Sequence, residues 1–206
     1  MIDPKKYFEI MRRKFSEEKL SELYYKNEFT FAVAVILSAQ ATDKQVNKIT
    51  PPLFKIADTP EKMAKLGATK LKKYINTISF FNNKARHIVG ASKALIKTGG
   101  KLPRDRDELM KLPGIGRKTA NVIMNVLWDA PVIGVDTHLF RLAHRFGWSR
   151  AKTPEKVELD LEKIIPSKYH AVTNHVMVMH GRYICKAIKP DCINCPVRKL
   201  CKIKRI

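Results

Sequence analysis

Acidic residues are scarce in this chain. Only 19 Asp and Glu stand against 40 Lys and Arg, a formal charge of +21 over 206 residues. A deficit of that size, spread along the whole length, points to a polyanionic partner, nucleic acid first, and to association that weakens with salt. A lysine-rich composition serving solubility alone would give the same count. Long apolar runs are also missing: the longest, Phe31 to Leu37, has seven residues, against the ~20 that a membrane helix needs. The first residues, MIDPKKYFEIMRRKF, are charged throughout and lack an apolar h-region, so no secretory signal is predicted. A soluble, cytoplasmic monomer is the expectation. No segment shows strand alternation, and no low-complexity linker divides a chain long enough for one good core or two small ones sharing a cleft. Cysteine is absent before residue 185.

What is present is helical periodicity broken by short turn signals, and the fold class is all-α. Tyr7 to Phe15 reads as an amphipathic helix. Phe29 to Ala39 is apolar nearly all round, as in a helix buried within a bundle. Thr59-Pro60-Glu61 and Thr153-Pro154-Glu155 are helix starts of one design, threonine as N-cap and proline at the first helical position. Lys70 to Ile78 and Asn83 to Lys97 continue the pattern, the second closed by Gly99 and Gly100. Further helices are predicted over Pro154 to Ile165 and from Tyr169 to about Ile184.

The densest signal is LPGIGRKTANVIMNVLWDAPVIGVDTHLF, from Leu112 to Phe140. The turn Pro113-Gly114-Ile115-Gly116 separates the helical DRDELMKL from a run in which Ala120, Ile123, Met124 and Leu127 share a face, so a helix, a tight hairpin and a second helix are predicted. Two glycines around one aliphatic residue are expected to reach backbone conformations closed to other residues. They also leave N–H groups uncovered at the second helix start, where the dipole favours phosphate. An interhelical turn with Ile115 plugged into the core is the plainer alternative. Lys118 lies in the first turn of that helix, where the dipole disfavours a cation. An amine nucleophile gains from such a setting, since at the reference pKa of ~10.4 only about 0.04% is neutral at pH 7. Asp136 immediately precedes the run Thr137 to Phe146 and is placed as its N-cap, with Gly147 as the stop.

All four cysteines, Cys185, Cys192, Cys195 and Cys201, fall within the last 22 residues, spaced Cys-x6-Cys-x2-Cys-x5-Cys. Four thiolates at this spacing suit one tetrahedral zinc or one iron-sulfur cluster, and an intracellular setting argues against two disulfides. The same loop carries Lys186, Lys189, Arg198, Lys199 and Lys202, with Asp191 its only acid. Charges held there would meet a phosphate backbone without reading sequence; a solvated basic tail is the alternative.

LPGIGRKTANV followed by VDTHLFR, together with LSAQATDKQVNK, FNNKARHI and HGRYIC, closely resembles the endonuclease III family of helix-hairpin-helix DNA glycosylases. The matching segments span most of the chain. The resemblance implies a six-helix barrel over residues 22–133, with the helix-hairpin-helix at about 106–128. It implies a second, discontinuous domain of 1–21 with 134–206, one [4Fe-4S] cluster on the four cysteines, and a cleft with Lys118 on one side and Asp136 on the other. It further implies a base excision repair enzyme acting on duplex DNA that contains damaged pyrimidines or abasic sites. Lys118 would attack C1', release the base and form a Schiff base; Asp136 would take the lysine proton or stabilise charge on the sugar; β-elimination would nick the strand. Whether the nearby carboxylate or the helix start dominates the lysine pKa stays open.

DNA contacts are expected at Leu112, Gly114, Ile115, Gly116 and Arg117 of the hairpin and at Lys189, Arg198 and Lys199 of the cysteine loop. Gln40 matches the family glutamine that fills the space of a flipped nucleotide, and Phe80 stands where the family usually has an aliphatic wedge, with Phe81 as the competing assignment. Core packing is the alternative for both aromatics. An adenine glycosylase of the same superfamily shares the cysteine spacing but usually lacks a lysine at position 118, and it typically continues into a further domain, which a chain ending five residues after Cys201 is not expected to have. Thymine-mismatch relatives typically have tyrosine at position 118. A non-catalytic helix-hairpin-helix module has no use for Lys118, Asp136 and Gln40 together.

Overall fold

The computed structural model describes residues 1–15 and 21–203. In chain order the helices are α1 (Pro4–Lys14), α2 (Glu28–Ser38), α3 (Asp43–Ile56), α4 (Pro60–Ile75), α5 (Phe81–Lys97), α6 (Arg106–Met110), α7 (Arg117–Trp128), α8 (Thr137–Phe146), α9 (Pro154–Ile164) and α10 (His170–Met179). A 3-10 turn, Ser167–Tyr169, precedes α10 and a π-helical turn, His180–Ile184, follows it. No strand occurs among the described residues. The chain divides into two compact units, one of Met1–Ser21 with Trp128–Ile206 and one of Glu22–Leu127.

The Glu22–Leu127 unit is built around α2, in which every residue from Phe29 to Leu37 is buried. A helix buried on all sides has no polar face to spare, and α2 meets that condition with nine consecutive apolar or small residues. A capping box fixes its start: the Asn27 side chain accepts from Thr30 N, and the Thr30 hydroxyl accepts from Asn27 N. α3 and α5 pack against it, and α4 lies along α5.

Helix α3 departs from the pattern read in the sequence, because it carries Pro51 and Pro52 in its interior. Each removes a backbone donor, which normally ends a helix. Here a capping box at Thr42 and Gln45 starts the helix, and Val46, Ile49, Leu53 and Phe54 keep one buried face across the prolines. α4 is interrupted at Gly67, whose backbone is non-helical at φ 72° and ψ 162°. Its second segment ends at Ile75 rather than Ile78.

The other unit joins α1 to α8, α9 and α10 through one core. Tyr7, Phe8 and Met11 of α1 pack with Leu139, Leu142, Phe146, Trp148, Leu161, Tyr169 and Val176. Aromatic edges and faces set the geometry: Tyr7 meets Trp148 edge-on at 5.2 Å, and Phe8 stacks on Tyr169 at 5.0 Å. Polar ties close the same seam. Ile2 N donates to Phe146 O (3.1 Å) and Trp148 Nε1 to Ile2 O (2.7 Å). The last helix is shorter than its periodicity suggests, because after Met179 the ladder widens to i→i+5, with Cys185 N donating to His180 O at 2.7 Å.

Candidate nucleic-acid interface

The hairpin follows from its caps. Asp105 starts α6 by accepting from Asp107 N and Glu108 N, and the chain turns through Leu112 and Ile115, with Ile115 N donating to Leu112 O at 3.1 Å. Leu112 and Ile115 are both buried, so their side chains belong to the core and only their backbone is available to a ligand. Gly114 has φ +84°, and a Cβ there would lie 2.8 Å from the His87 Cβ of α5. This residue must be glycine twice over.

Gly116 corrects the expectation drawn from the motif. Its φ is not in the left-handed region, and a Cβ added there would meet nothing within 4 Å. What it supplies is open space in front of the first turn of α7. Arg117 is half-buried and Lys118 exposed in that turn.

Two further predicted residues lie in the same unit, and neither packs in the core. Gln40 follows α2, exposed, at φ +54°; Phe80 precedes α5, 62% exposed, at φ +58°. Phe81 is half-buried, the first residue of α5. Left-handed backbone is uncommon for residues with a Cβ, and it marks positions that the surroundings hold in place. Lys84, a residue that sequence reading passed over, bonds to the chain just before Gln40. Its side chain is buried, and its Nζ donates to Leu37 O (2.8 Å) and Ala39 O (2.6 Å).

In the other unit Asp136 is the N-cap of α8, its Oδ1 accepting from His138 N (2.8 Å) and Leu139 N (2.9 Å). Capping therefore occupies one carboxylate oxygen and fixes the direction of the other. Gly147 ends α8 at φ +73° as expected.

The four cysteines line one cavity together with His180, Val197 and Arg198. Among the described residues no three His, Cys, Asp or Glu side chains gather as they would on a single ion. Two arginines of α8 hold the approach to it. Arg145 donates to Cys185 Sγ (3.2 Å), Lys186 O (2.7 Å) and Ala187 O (3.0 Å), and Arg141 to Gly181 O (2.8 Å). His180 links Tyr7 Oη at its Nδ1 (3.0 Å) to Cys195 Sγ at its Nε2 (3.5 Å). Burial, and then the Arg141 charge, push its pKa down to about 4, so the ring is neutral. Burial likewise raises the Cys195 thiol to about 11. Lys189 and Lys199 are exposed around this loop and Arg198 is half-buried.

Residues 33–167 match the HhH-GPD superfamily of base excision DNA repair proteins. An endonuclease III of Rickettsia conorii is 51% identical over 95% of this chain and 93% of its own. The chain belongs to the endonuclease III family. The fold agrees: a trapped endonuclease III–DNA covalent intermediate with an estranged adenine superposes with a TM-score of 0.90 at 43% identity, covering 96% of this chain and 93% of that one. A non-covalent endonuclease III–DNA complex gives 0.89 at 42%, with the same coverage. Members of the endonuclease III family are base excision repair DNA glycosylases and abasic-site lyases, and this chain is one of them.

The superfamily match stops before the cysteines. Fit of the endonuclease III cluster therefore rests on the loop itself, and the donor set suits it: four thiols around one cavity, with an arginine N–H already directed at one sulfur. Arg141 and Arg145, which secure that loop, were also missed by sequence reading. Their signal was their spacing of four residues on α8, which puts both on one helical face.

Proposed function

We propose that the chain is a bifunctional glycosylase that removes damaged pyrimidines from duplex DNA and cleaves the resulting abasic site through a lysine Schiff base. The observation that carries this reading is Lys118 itself, an exposed amine in the first turn of α7, directly behind the open backbone at Gly116. A phosphate of the damaged strand would sit on the α7 start, held by backbone N–H groups of the hairpin, which brings a neighbouring C1' to the amine. The neutral Nζ attacks C1', the C1'–N bond breaks and the base leaves with the electron pair. The secondary amine then opens the sugar to an imine, and loss of a proton from C2' expels the 3' phosphate. Asp136, aimed by its cap hydrogen bonds, takes the lysine proton or offsets positive charge on the sugar. That a relative of 43% identity has been trapped as a covalent intermediate with DNA supports a covalent route.

Gln40 would enter the space left by the flipped nucleotide and Phe80 would wedge between the remaining bases; exposure and left-handed backbone at both support these roles. Cys185, Cys192, Cys195 and Cys201 would hold a [4Fe-4S] cluster, which supplies a rigid anchor for the loop. Lys189, Arg198 and Lys199 would then meet phosphates as the monomer binds its duplex.

Borohydride trapping on a duplex containing thymine glycol tests the reading. A covalent protein–DNA adduct is expected with the wild type and none with Lys118→Gln, which should still fold and bind. Base release without an adduct would instead indicate a water-using glycosylase with Asp136 as its base.

A further inference from the structure

Lys84 stands out among the buried groups of the Glu22–Leu127 unit. It is 6% exposed, burial lowers its pKa, and among the described residues no carboxylate is in ion-pair reach of it. A cation placed this way is costly unless its donors are well used. Its amine meets the carbonyls of Leu37 and Ala39, at the negative end of α2. Ala39 is the residue before Gln40. Its backbone lies in the first turn of α5, where Lys84 N closes the ordinary helical bond to Phe80 O at 3.1 Å. The side chain thus ties the first turn of α5, which Phe80 caps, to the chain just before Gln40, and among the described residues only four non-glycine positions have positive φ, these two included.

We infer that Lys84 is a positioning residue, a strut that holds the Gln40 and Phe80 loops at a fixed separation so that both enter the duplex as one tool. The inference rests on the proposed insertion roles of those two residues. Gap-filling and wedging act on adjacent features of one helix, so a shift of one loop against the other defeats both. A lysine stem spans the distance without filling it with a second side chain, and its three donors tolerate small movements of the two carbonyls.

The test compares Lys84→Met in two backgrounds, wild type and Gln40→Ala/Phe80→Ala, using the cluster-loaded protein and single-turnover base release from a thymine glycol duplex. In the wild-type background the strut's loss is expected to slow release between about 10- and 100-fold, the scale set by misplacing a reacting group by about 1 Å. With both loop side chains already gone, the same substitution should cost no more than about 2-fold, because coupled residues are not additive. Equal losses in both backgrounds would overturn the strut and leave a general structural role. Wild-type rates in the Gln40→Ala/Phe80→Ala protein would overturn the insertion reading, and the strut with it. Should Lys84→Met fail to fold, Lys84→Gln, which keeps two donors, carries the same comparison, and the same two results decide for or against the strut.

Discussion

Replacing Gly114 by alanine asks two things of the hairpin at once. The new residue would have to keep φ +84°, which costs a residue with a Cβ roughly 1–2 kcal/mol. Its methyl would also sit 2.8 Å from the His87 Cβ, and since both atoms are fixed to backbone, neither rotates away. Overpacking of that kind costs about 1–3 kcal/mol. The sum, about 2–5 kcal/mol, lowers the melting temperature of a chain this long by roughly 5–15 °C. Gly116→Ala makes neither demand. Reduced freedom of the unfolded chain favours alanine by about 0.4–1 kcal/mol, while the helix start, where glycine caps better than alanine, opposes this by a few tenths or more. Its stability should therefore stay within about 1 kcal/mol of wild type. Duplex affinity should fall all the same, because the methyl covers the start of α7. Thermal unfolding followed by circular dichroism, paired with fluorescence anisotropy on a labelled duplex, measures both. A Gly114→Ala protein within about 1 kcal/mol of wild type, or a Gly116→Ala protein as unstable as Gly114→Ala, would refute this account of the turn.

At position 136, asparagine should keep the cap and alanine should lose it, at about 1 kcal/mol. Both are expected to lose at least about 100-fold in base release, so a slow, fully stable Asp136→Asn protein separates the chemical role from the capping one in a rate assay set beside a melting curve. Metal and sulfide analysis of purified protein should find about four iron and four sulfide per chain, and a single zinc would reverse the reading of the cysteine cavity. Changing Lys189, Arg198 and Lys199 together to glutamine should flatten the slope of log affinity against log salt by about 0.9 for each phosphate no longer neutralised. An unchanged slope in a titration from low to moderate salt would remove this loop from the interface.

Local chemistry was legible wherever a residue acts on its own neighbours. Thr59 and Thr153 cap the helices expected of them, by accepting from Lys62 N and Lys156 N. Gly100 closes α5, its N–H reaching Leu95 O, and Asp136 opens α8. These are bonds across a few residues, so spacing alone predicts them. α3 was not read because its two prolines break the local rule, and a capping box together with a buried face packed on α2 and α4 supports the helix. The end of α10 was overrun because an i→i+5 turn leaves the apolar pattern intact while changing the ladder. Exposure of Phe80 could not be told from burial, since an aromatic looks the same in either place. Lys84 was invisible for a related reason: a lysine in an amphipathic run reads as solvated, and only the fold reveals which carbonyls 45 and 47 residues away receive its protons.

The seam that ties Ile2 to Phe146 and Tyr7 to His180 has a consequence for biogenesis. On the ribosome the Glu22–Leu127 unit emerges as one continuous stretch and can fold as soon as it clears the exit tunnel. α1 is made earlier, yet its partners arrive 144 residues later, roughly 7–30 s at ordinary elongation rates. Through most of that interval Tyr7, Phe8 and Met11, fully buried in the finished protein, lack their later core partners, the first of which is Ile133. The newborn chain therefore carries an apolar leading end until the later helices of its own unit have been made. The cysteine cavity, lined by residues from Arg145 to Ile203, can close only once that last stretch has been made.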